Sequence, residues 1–335
     1  MNFILGIIKS VLPFGFINYL YKKCIPYRFT TKKIFKEYYK PLIKNTKSKY
    51  SLTSKNNKKM IIYMADGRRT AMGLADRLRG IASLYKLSKD FNIDFKINMT
   101  SPLNLTNFLL PNKYNWIIND DEIIYDIKYS IIYDINSQAS NNTVYKNIEY
   151  MLKKYDQIHS TSNITLGDIE YGNLFNELFI PTEELNILIN KYLNEIGEEF
   201  ISTSFRFGDL LGDFHESNKP SLSPIEQNKL ISRCIEHLIE INNINTIKKI
   251  VVLSDSITFI NSVKHLDFVF IIPGEIAHLD HQLNLDKNVY MKIFLDYFIL
   301  THSKKIYLII DGNMLQSGFP HRAALHNLPF IIKRY

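Results

Sequence analysis

The sequence predicts an α/β protein built as two units, each a mainly parallel sheet flanked by helices, facing each other across a cleft. Three observations predict it. Short apolar runs recur along the chain, unbroken rather than alternating, as strands buried on both faces of a parallel sheet read. Amphipathic segments of helical length stand between them. Every stretch rich in Arg, Asp, Gly and Ser falls directly after an apolar run, where doubly wound sheets bind their ligands. With 335 residues, 46% of them hydrophobic, the chain can bury two cores. The expected division is an N-terminal arm and linker over 1–59, a first unit over 60–195 and a second over 196–335.

The arm differs from the rest. The net charge is +8, yet residues 1–59 hold fourteen Lys and Arg and a single acid, Glu37, so the remainder is acidic on balance. That asymmetry argues against a nucleic-acid-binding body, where basic residues decorate the folded domain. The opening "MNFILGIIKSVLPFGFINYLYKK" lacks the basic start and small-residue cleavage site of a signal peptide. Lys9, Pro13, Gly15 and Asn18 interrupt it, against a transmembrane span. An interfacial segment on an anionic membrane fits, with the following lysines adding about 1 kcal/mol each. The competing reading is a helix packed on the protein's own surface. The expected location is cytoplasmic, peripheral on the inner face of the cytoplasmic membrane. Cys24 and Cys234 stand far apart, with neither disulfide nor zinc spacing.

In the first unit "MIIYM" reads as a strand, "ADGRRTAMG" as a loop, and Leu74 to Asp90 as a helix whose Leu74, Leu78, Ile81 and Tyr85 share one face. "DFKINM" is the next strand. "YNWIIND", "EIIYDI", "SIIYDI" and "YDQIHS" read as further short strands. Thr182 caps a helix reaching Ile196, with Glu183 and Glu184 in its first turn.

In the second unit the strand "EFISTSF" leads to a helix from Pro224 to about Ile241, capped by Ser223. The strand "KKIVVLS", a helix near Thr258–Lys264, the strand "FVFIIP", the helix "NVYMKIFLDYFILTHS", the strand "KIYLIID", a helix near Phe319–His326 and the strand "PFIIKRY" follow.

The chemistry-bearing stretches are "ADGRR", "RFGDLLGD", "SDS" and "DGNMLQSG", each at the carboxyl end of a strand. Gly73 before a helix permits close backbone approach, and free N–H groups at a helix start favour an anion. Arg77 and Arg79 near that start oppose the helix dipole. Arg206 is either a charged surface turn or an anion-gripping corner, since guanidinium binds phosphate in a bidentate way. Asp209 would orient it, and Asp213 and His215 stand within reach of an acceptor hydroxyl as candidate bases. Ser254 and Asp255 fall on the same rim, and Asp66 and Arg68 on the opposite one.

"GLADRLRGIASLYKLSKDF" resembles the opening motif Gly-Leu-Gly-(Asn/Asp)-Arg-Leu-Arg of fucosyltransferase-like glycosyltransferases with the GT-B fold. "SFRFGD" resembles their H-x-R-R-G-D segment. "FLDYFILTHSKKIYLIIDGNMLQSGFPHRAAL" is similar to their final region, with its Ser-x-Phe-x-x-(Arg)-Ala-Ala stretch. Order and approximate spacing agree across 60–335. The resemblance implies two Rossmann-like domains facing a cleft and an inverting transfer of fucose from GDP-fucose to a glycan or lipid-linked glycan, without a metal or other cofactor. It implies that Arg206 binds the donor diphosphate, that Ser317, with Phe319 and Arg322 nearby, makes the second phosphate contact, and that Asp296 reads the guanine. Asp213 matches the catalytic base to within about one residue, and Arg77 lies on the acceptor side with Gly73, Asp66 and Arg68.

Two positions depart from the pattern. The family histidine is Ser204, and the second arginine is Phe207. Either the donor is another nucleotide sugar, such as a GDP-heptose, or the missing charge comes from Arg68, Arg69 or Arg322. A non-catalytic sugar- or nucleotide-binding protein on the same scaffold is the rival reading. The acidic "NDDE" at 119–122, and His278, Asp280 and His281, have the look of metal ligands without a fixed third group. The second set fits better as a loop over the nucleotide.

Overall fold

The computed structural model describes residues 58–68, 72–135, 139–213, 220–247, 249–277, 279 and 286–335. The arm up to residue 57, Arg69, His215, His278, Asp280 and His281 lie outside them, with the readings attached to them. No described helix is long and apolar enough to cross a membrane.

The first sheet holds β1 (Met60–Ala65), β2 (Asp94–Met99), β4 (Ser130–Ile132) and β5 (Gln157–Ser160) in the order β2-β1-β5-β4, all parallel. Helix α1 (Leu74–Asp90) crosses from β1 to β2 and buries Leu74, Leu78, Ile81 and Tyr85, the face read from the sequence. Two helices had no expectation: α2 (Asn141–Leu152) and α3 (Tyr171–Leu178). The stripe of α2 is narrow, with only Val144, Ile148 and Met151 buried. β3 (Leu109–Pro111) and β6 (Phe179–Pro181) form a small antiparallel ribbon, and α4 (Glu183–Ile196) follows, capped by Thr182 Oγ1.

Two expected strands are absent. "YNWIIND" contributes a single bridge, Ile117 to Ile97. In "EIIYDI" the Ile124 N–H donates to Gln157 Oε1 at 2.8 Å instead of joining a ladder, and Ile123 is buried against Ile62 and Met64. The acidic run before it forms a 3₁₀ turn, Asp120–Glu122, in which Glu122 accepts from the Asn119 N–H at 2.8 Å.

The second sheet is entirely parallel, ordered β11-β10-β7-β8-β9. Its strands are β7 (Phe200–Phe205), β8 (Lys249–Ser254), β9 (Val269–Phe270), β10 (Ile306–Ile310) and β11 (Phe330–Arg334). The helices are α5 (Pro224–Ile244), α6 (Ile257–Val263), α7 (Lys287–Thr301) and α8 (Gly318–Ala324). The chain winds outward from β7 through β8 to β9, then returns to the other side of β7 with β10. The carboxyl ends of β7 and β10 therefore flank the topological switch point.

One apolar cluster joins the first sheet, α1, α3 and α7 to Phe200 and Ile306 of the second sheet. A second fills the space between the β7–β10 sheet, α5 and α6.

Candidate active site

β7 is buried along its whole length, so the first residue free of the sheet is Arg206. Three contacts fix the turn that presents it. Asp255, at the end of β8, accepts from the backbone N–H groups of Phe207 and Gly208, both at 2.8 Å. The Leu315 N–H, in the loop after β10, donates to the Arg206 carbonyl at 2.9 Å. Gly208 takes φ +57°, the left-handed region that glycine reaches without strain. Burial pushes the Asp255 carboxyl above its ordinary range, despite the two N–H donors and the Arg206 charge.

The turn stands on a cleft of about 540 Å³ between the two units. From the second unit it is lined by Ser204, Arg206, Ser254, Asp255, Lys292 and Asp296, and by Ser317, Phe319, His321 and Arg322 around the start of α8. From the first unit Gly73, Asp76 and Arg79 of α1 face it. Ser317 caps α8, its Oγ accepting from the Phe319 N–H at 3.3 Å. A Cβ on Gly318 would meet nothing within 4 Å, so the space above this helix start is open.

The structure thus gathers Arg206, Ser254, Asp255, Asp296, Ser317, Phe319, Arg322 and Gly73 on one cleft. It places five other sequence candidates elsewhere. Arg77 is 4% exposed and donates to the Met72 carbonyl (2.6 Å) and the Ser101 carbonyl (3.0 Å), fastening the start of α1. Asp66 and Arg68 pair with each other at 3.0 Å, the guanidinium lying 5.2 Å from the centre of the Tyr125 ring. Asp209 is buried in the 3₁₀ turn Gly208–Leu211 and does not line the cleft.

Asp213 also stands off the cleft. It accepts from the Thr258 N–H (2.9 Å), the Thr258 hydroxyl (2.6 Å) and the Ser256 hydroxyl, holding the start of α6. Burial raises its carboxyl, but these donors outweigh burial and leave it below the ordinary range.

Phe207, at the place of the family's second arginine, is 0% exposed, with its ring centre 5.0 Å from that of Phe259. It is a core residue. Arg322, offered as the replacement charge, reaches the cleft but pairs with Asp168 of the first unit. Burial and the Arg322 charge hold the neighbouring His321 below its ordinary pKa, which favours the neutral ring.

Several cleft residues went unnoticed in the sequence: Asp76, Glu275, Lys292 and His321. Lys292 is the consequential one. Its Nζ lies 2.6 and 2.5 Å from the two oxygens of Asp296. Burial holds the Asp296 carboxyl above its ordinary range, against the pull of the Lys292 charge. The signal was available as Lys292 and Asp296 at i and i+4, adjacent on one helix face.

No protein-family model and no curated protein matches the chain. Solved structures do. The α-1,6-fucosyltransferase NodZ, known from Bradyrhizobium, soaked with GDP-fucose, aligns with TM-score 0.53 at 12% identity, covering 82% of this chain and 94% of that one. A variant of Arabidopsis thaliana FUT1 in complex with GDP aligns with TM-score 0.53 at 12% identity, covering 89% of this chain and 75% of that one. The chain has the fucosyltransferase-like GT-B fold. The motif resemblance and the structural likeness agree on that architecture, with the basic arm outside the described residues.

Proposed function

We propose that this chain is a glycosyltransferase that takes a GDP-sugar as donor, bound by residues 196–335, and glycosylates a hydroxyl of an acceptor held by 60–195. One observation carries the reading. At the switch point of the second sheet the Arg206 turn is tied to the loop after β10, so that Arg206 and the start of α8 share one rim of a cleft whose opposite wall belongs to the first unit. The NodZ and FUT1 structures bind GDP-fucose and GDP on the same architecture.

In this scheme the acceptor hydroxyl attacks the anomeric carbon, its proton passes to solvent or to the departing diphosphate, and the nucleoside diphosphate leaves from the opposite face, inverting the centre. Arg206 and the open start of α8 at Ser317–Gly318 meet the charge that develops on the leaving phosphate, a preorganised electrostatic effect. Asp255 is a positioning residue, because it holds the backbone that carries Arg206. Asp296 with Lys292 receives the base: the carboxylate takes a ring N–H and the ammonium offers a donor to a neighbouring carbonyl. Asp213 has no part in the reaction, being committed to α6. Fucose is the first donor sugar to test. The burial of Phe207 favours a second reading, in which another GDP-sugar such as a GDP-heptose is transferred. The acceptor in either case is a surface or lipid-linked glycan, and the cationic arm of residues 1–59 holds the enzyme at an anionic membrane.

The test is a melting screen with GDP, UDP and CMP on wild type and Arg206→Ala, followed by mass spectrometry of products from a panel of donors. Saturating GDP stabilises the wild type by about 3 kcal/mol at a hundredfold excess over Kd. Arg206→Ala weakens GDP by about tenfold or more, the worth of a charged hydrogen bond. Unchanged nucleotide affinity and turnover in that variant refute the assignment. Binding without turnover of any donor establishes the non-catalytic alternative.

A further inference from the structure

A donor diphosphate brings two phosphates to the cleft, and beside Arg206 the second unit offers the buried Phe207 rather than another arginine. Among the described residues four cationic side chains line the cleft: Arg79, Arg206, Lys292 and Arg322. Lys292 is engaged by both oxygens of Asp296. Arg322 is 4% exposed and engaged by Asp168. Arg79 differs. One terminal nitrogen meets Asp76, while its Nε is buried with no hydrogen-bond partner. A buried guanidinium N–H without an acceptor is costly, and sites of this kind point to a missing anion. The location agrees. Arg79 stands on α1 and its charge is felt at His321 of α8, the helix whose start forms the phosphate rim. It stands in the second turn of α1, where the i,i+3 pair with Asp76 engages one terminal nitrogen and leaves Nε unsatisfied.

We infer that Arg79 is the second diphosphate-binding cation, supplied across the cleft by the first unit in place of the arginine that Phe207 displaces. This rests on the nucleotide-sugar reading above. On binding, the Arg79 guanidinium turns its Nε–H and a terminal N–H to a phosphate oxygen, with Asp76 as the intramolecular competitor it leaves. The donor site is therefore complete only with both walls in place, and one residue of the acceptor-side wall touches the leaving group.

The experiment is calorimetric titration of the full chain with GDP and with guanosine, for wild type, Arg79→Gln, Arg79→Lys, Asp76→Asn and Arg206→Gln, with a melt of each variant. Expected is a loss of about tenfold or more in GDP affinity for Arg79→Gln, partial recovery in Arg79→Lys, and guanosine affinity within about twofold throughout. Asp76→Asn removes the competitor and holds or tightens GDP binding, which keeps the idea open to refutation if Arg79→Gln does not fold. Three results overturn it: GDP affinity intact in Arg79→Gln while Arg206→Gln loses it, equal loss of GDP and guanosine in Arg79→Gln, or weakened GDP binding in Asp76→Asn. The first leaves the glycosyltransferase reading standing. Failure of the wild type to bind GDP, UDP or CDP removes both.

Discussion

Replacing Gly80 by alanine sets two effects of known sign against each other. Gly80 lies on α1, where the helix touches the backbone after β5. A Cβ there would sit 1.8 Å from the Ser162 carbonyl oxygen and 2.7 Å from its carbon. Both atoms are backbone, so no side chain can swing away. Restoring ordinary contact requires α1 to retreat by roughly 1.5 Å, an overpacking that costs about 1–3 kcal/mol or more. Alanine repays about 0.5–1 kcal/mol through helix propensity. The retreat is resisted one turn later, where the Ser83 hydroxyl donates to the Ile164 carbonyl at 2.9 Å and accepts from the Leu166 N–H at 3.0 Å. The clash wins, and Gly80→Ala loses about 1–2 kcal/mol, a fall of roughly 1–4 °C in Tm for a chain of this size. α1 also carries Gly73, Asp76 and Arg79 on the cleft wall, and a shift near 1 Å there can cost about a hundredfold in turnover. Calorimetric melting with a donor-turnover assay reads both. A variant that melts at or above the wild type with unchanged turnover refutes the packing of α1 described above.

Two further predictions concern titrating groups. Asp213→Asn weakens the cap of α6 by about 1 kcal/mol at neutral pH while turnover stays near wild type. The Asp213 carboxyl lies below its ordinary range when folded, so its stabilisation is full above that range and fades as pH falls through it. Melts at pH 7 and at about pH 3 should therefore differ between variant and wild type by more at the first than at the second; collapse of turnover with an unchanged melt would make Asp213 the base after all. His326 sits between the units, with Nε2 at 3.2 Å from the Tyr297 hydroxyl and its ring 5.0 Å from that of Phe175. Burial, with the His302 charge, lowers its pKa from 6.5 to about 4. The unfolded chain then binds the proton first, so stability is full above pH 6.5 and declines by roughly 3 kcal/mol down to pH 4. Urea titrations across that range should show a flatter profile for His326→Gln; parallel profiles would place the acid sensitivity elsewhere.

The fold was legible in the sequence because its strands are continuous apolar runs ending in polar turns. β2 and α1 have the bounds read from the sequence, since nothing competes with their patterns. "EIIYDI" has the same composition as a strand, yet its backbone is satisfied by the side chain of Gln157, 33 residues away. No local pattern records such a partner. The cleft was legible where a charged residue follows a strand directly, as Arg206 follows β7. Arg77 and Arg79 were not separable by type, since both are arginines near the same helix start. Their separation of two residues, roughly 200° around a helix, turns one toward the Met72 and Ser101 carbonyls and the other to the cleft. The setting of Asp213 was hidden for a related reason: two hydroxyls 43 and 45 residues away donate to it.

The helix that decides how the two walls meet is α7. Beyond its first turn it is apolar on every side except the Lys292–Asp296 row, the mark of a helix buried nearly all round. Phe294 stacks on Phe108 of the first unit, ring centres 4.7 Å apart and planes 6° from parallel. The Tyr297 hydroxyl lies 2.9 Å from that of Tyr171, and Phe298 packs on Phe175. Each such aromatic side chain contributes about 1.5–3 kcal/mol on burial, so together they fasten α7 to the first unit while its chain neighbours β10 and α8 belong to the second. The same helix turns Lys292 and Asp296 to the cleft. Close approach at Gly172, where a Cβ would lie 2.8 Å from the Leu325 carbonyl, leaves α3 and the end of α8 no slack. The distance from Arg79 on α1 to the start of α8 is thus set by packed aromatic side chains and backbone contact. The proposed grip on a diphosphate from both walls depends on that rigidity: the backbones that carry Arg79 and Arg206 are fixed before the donor arrives, and only the Arg79 side chain turns, from Asp76 to the phosphate.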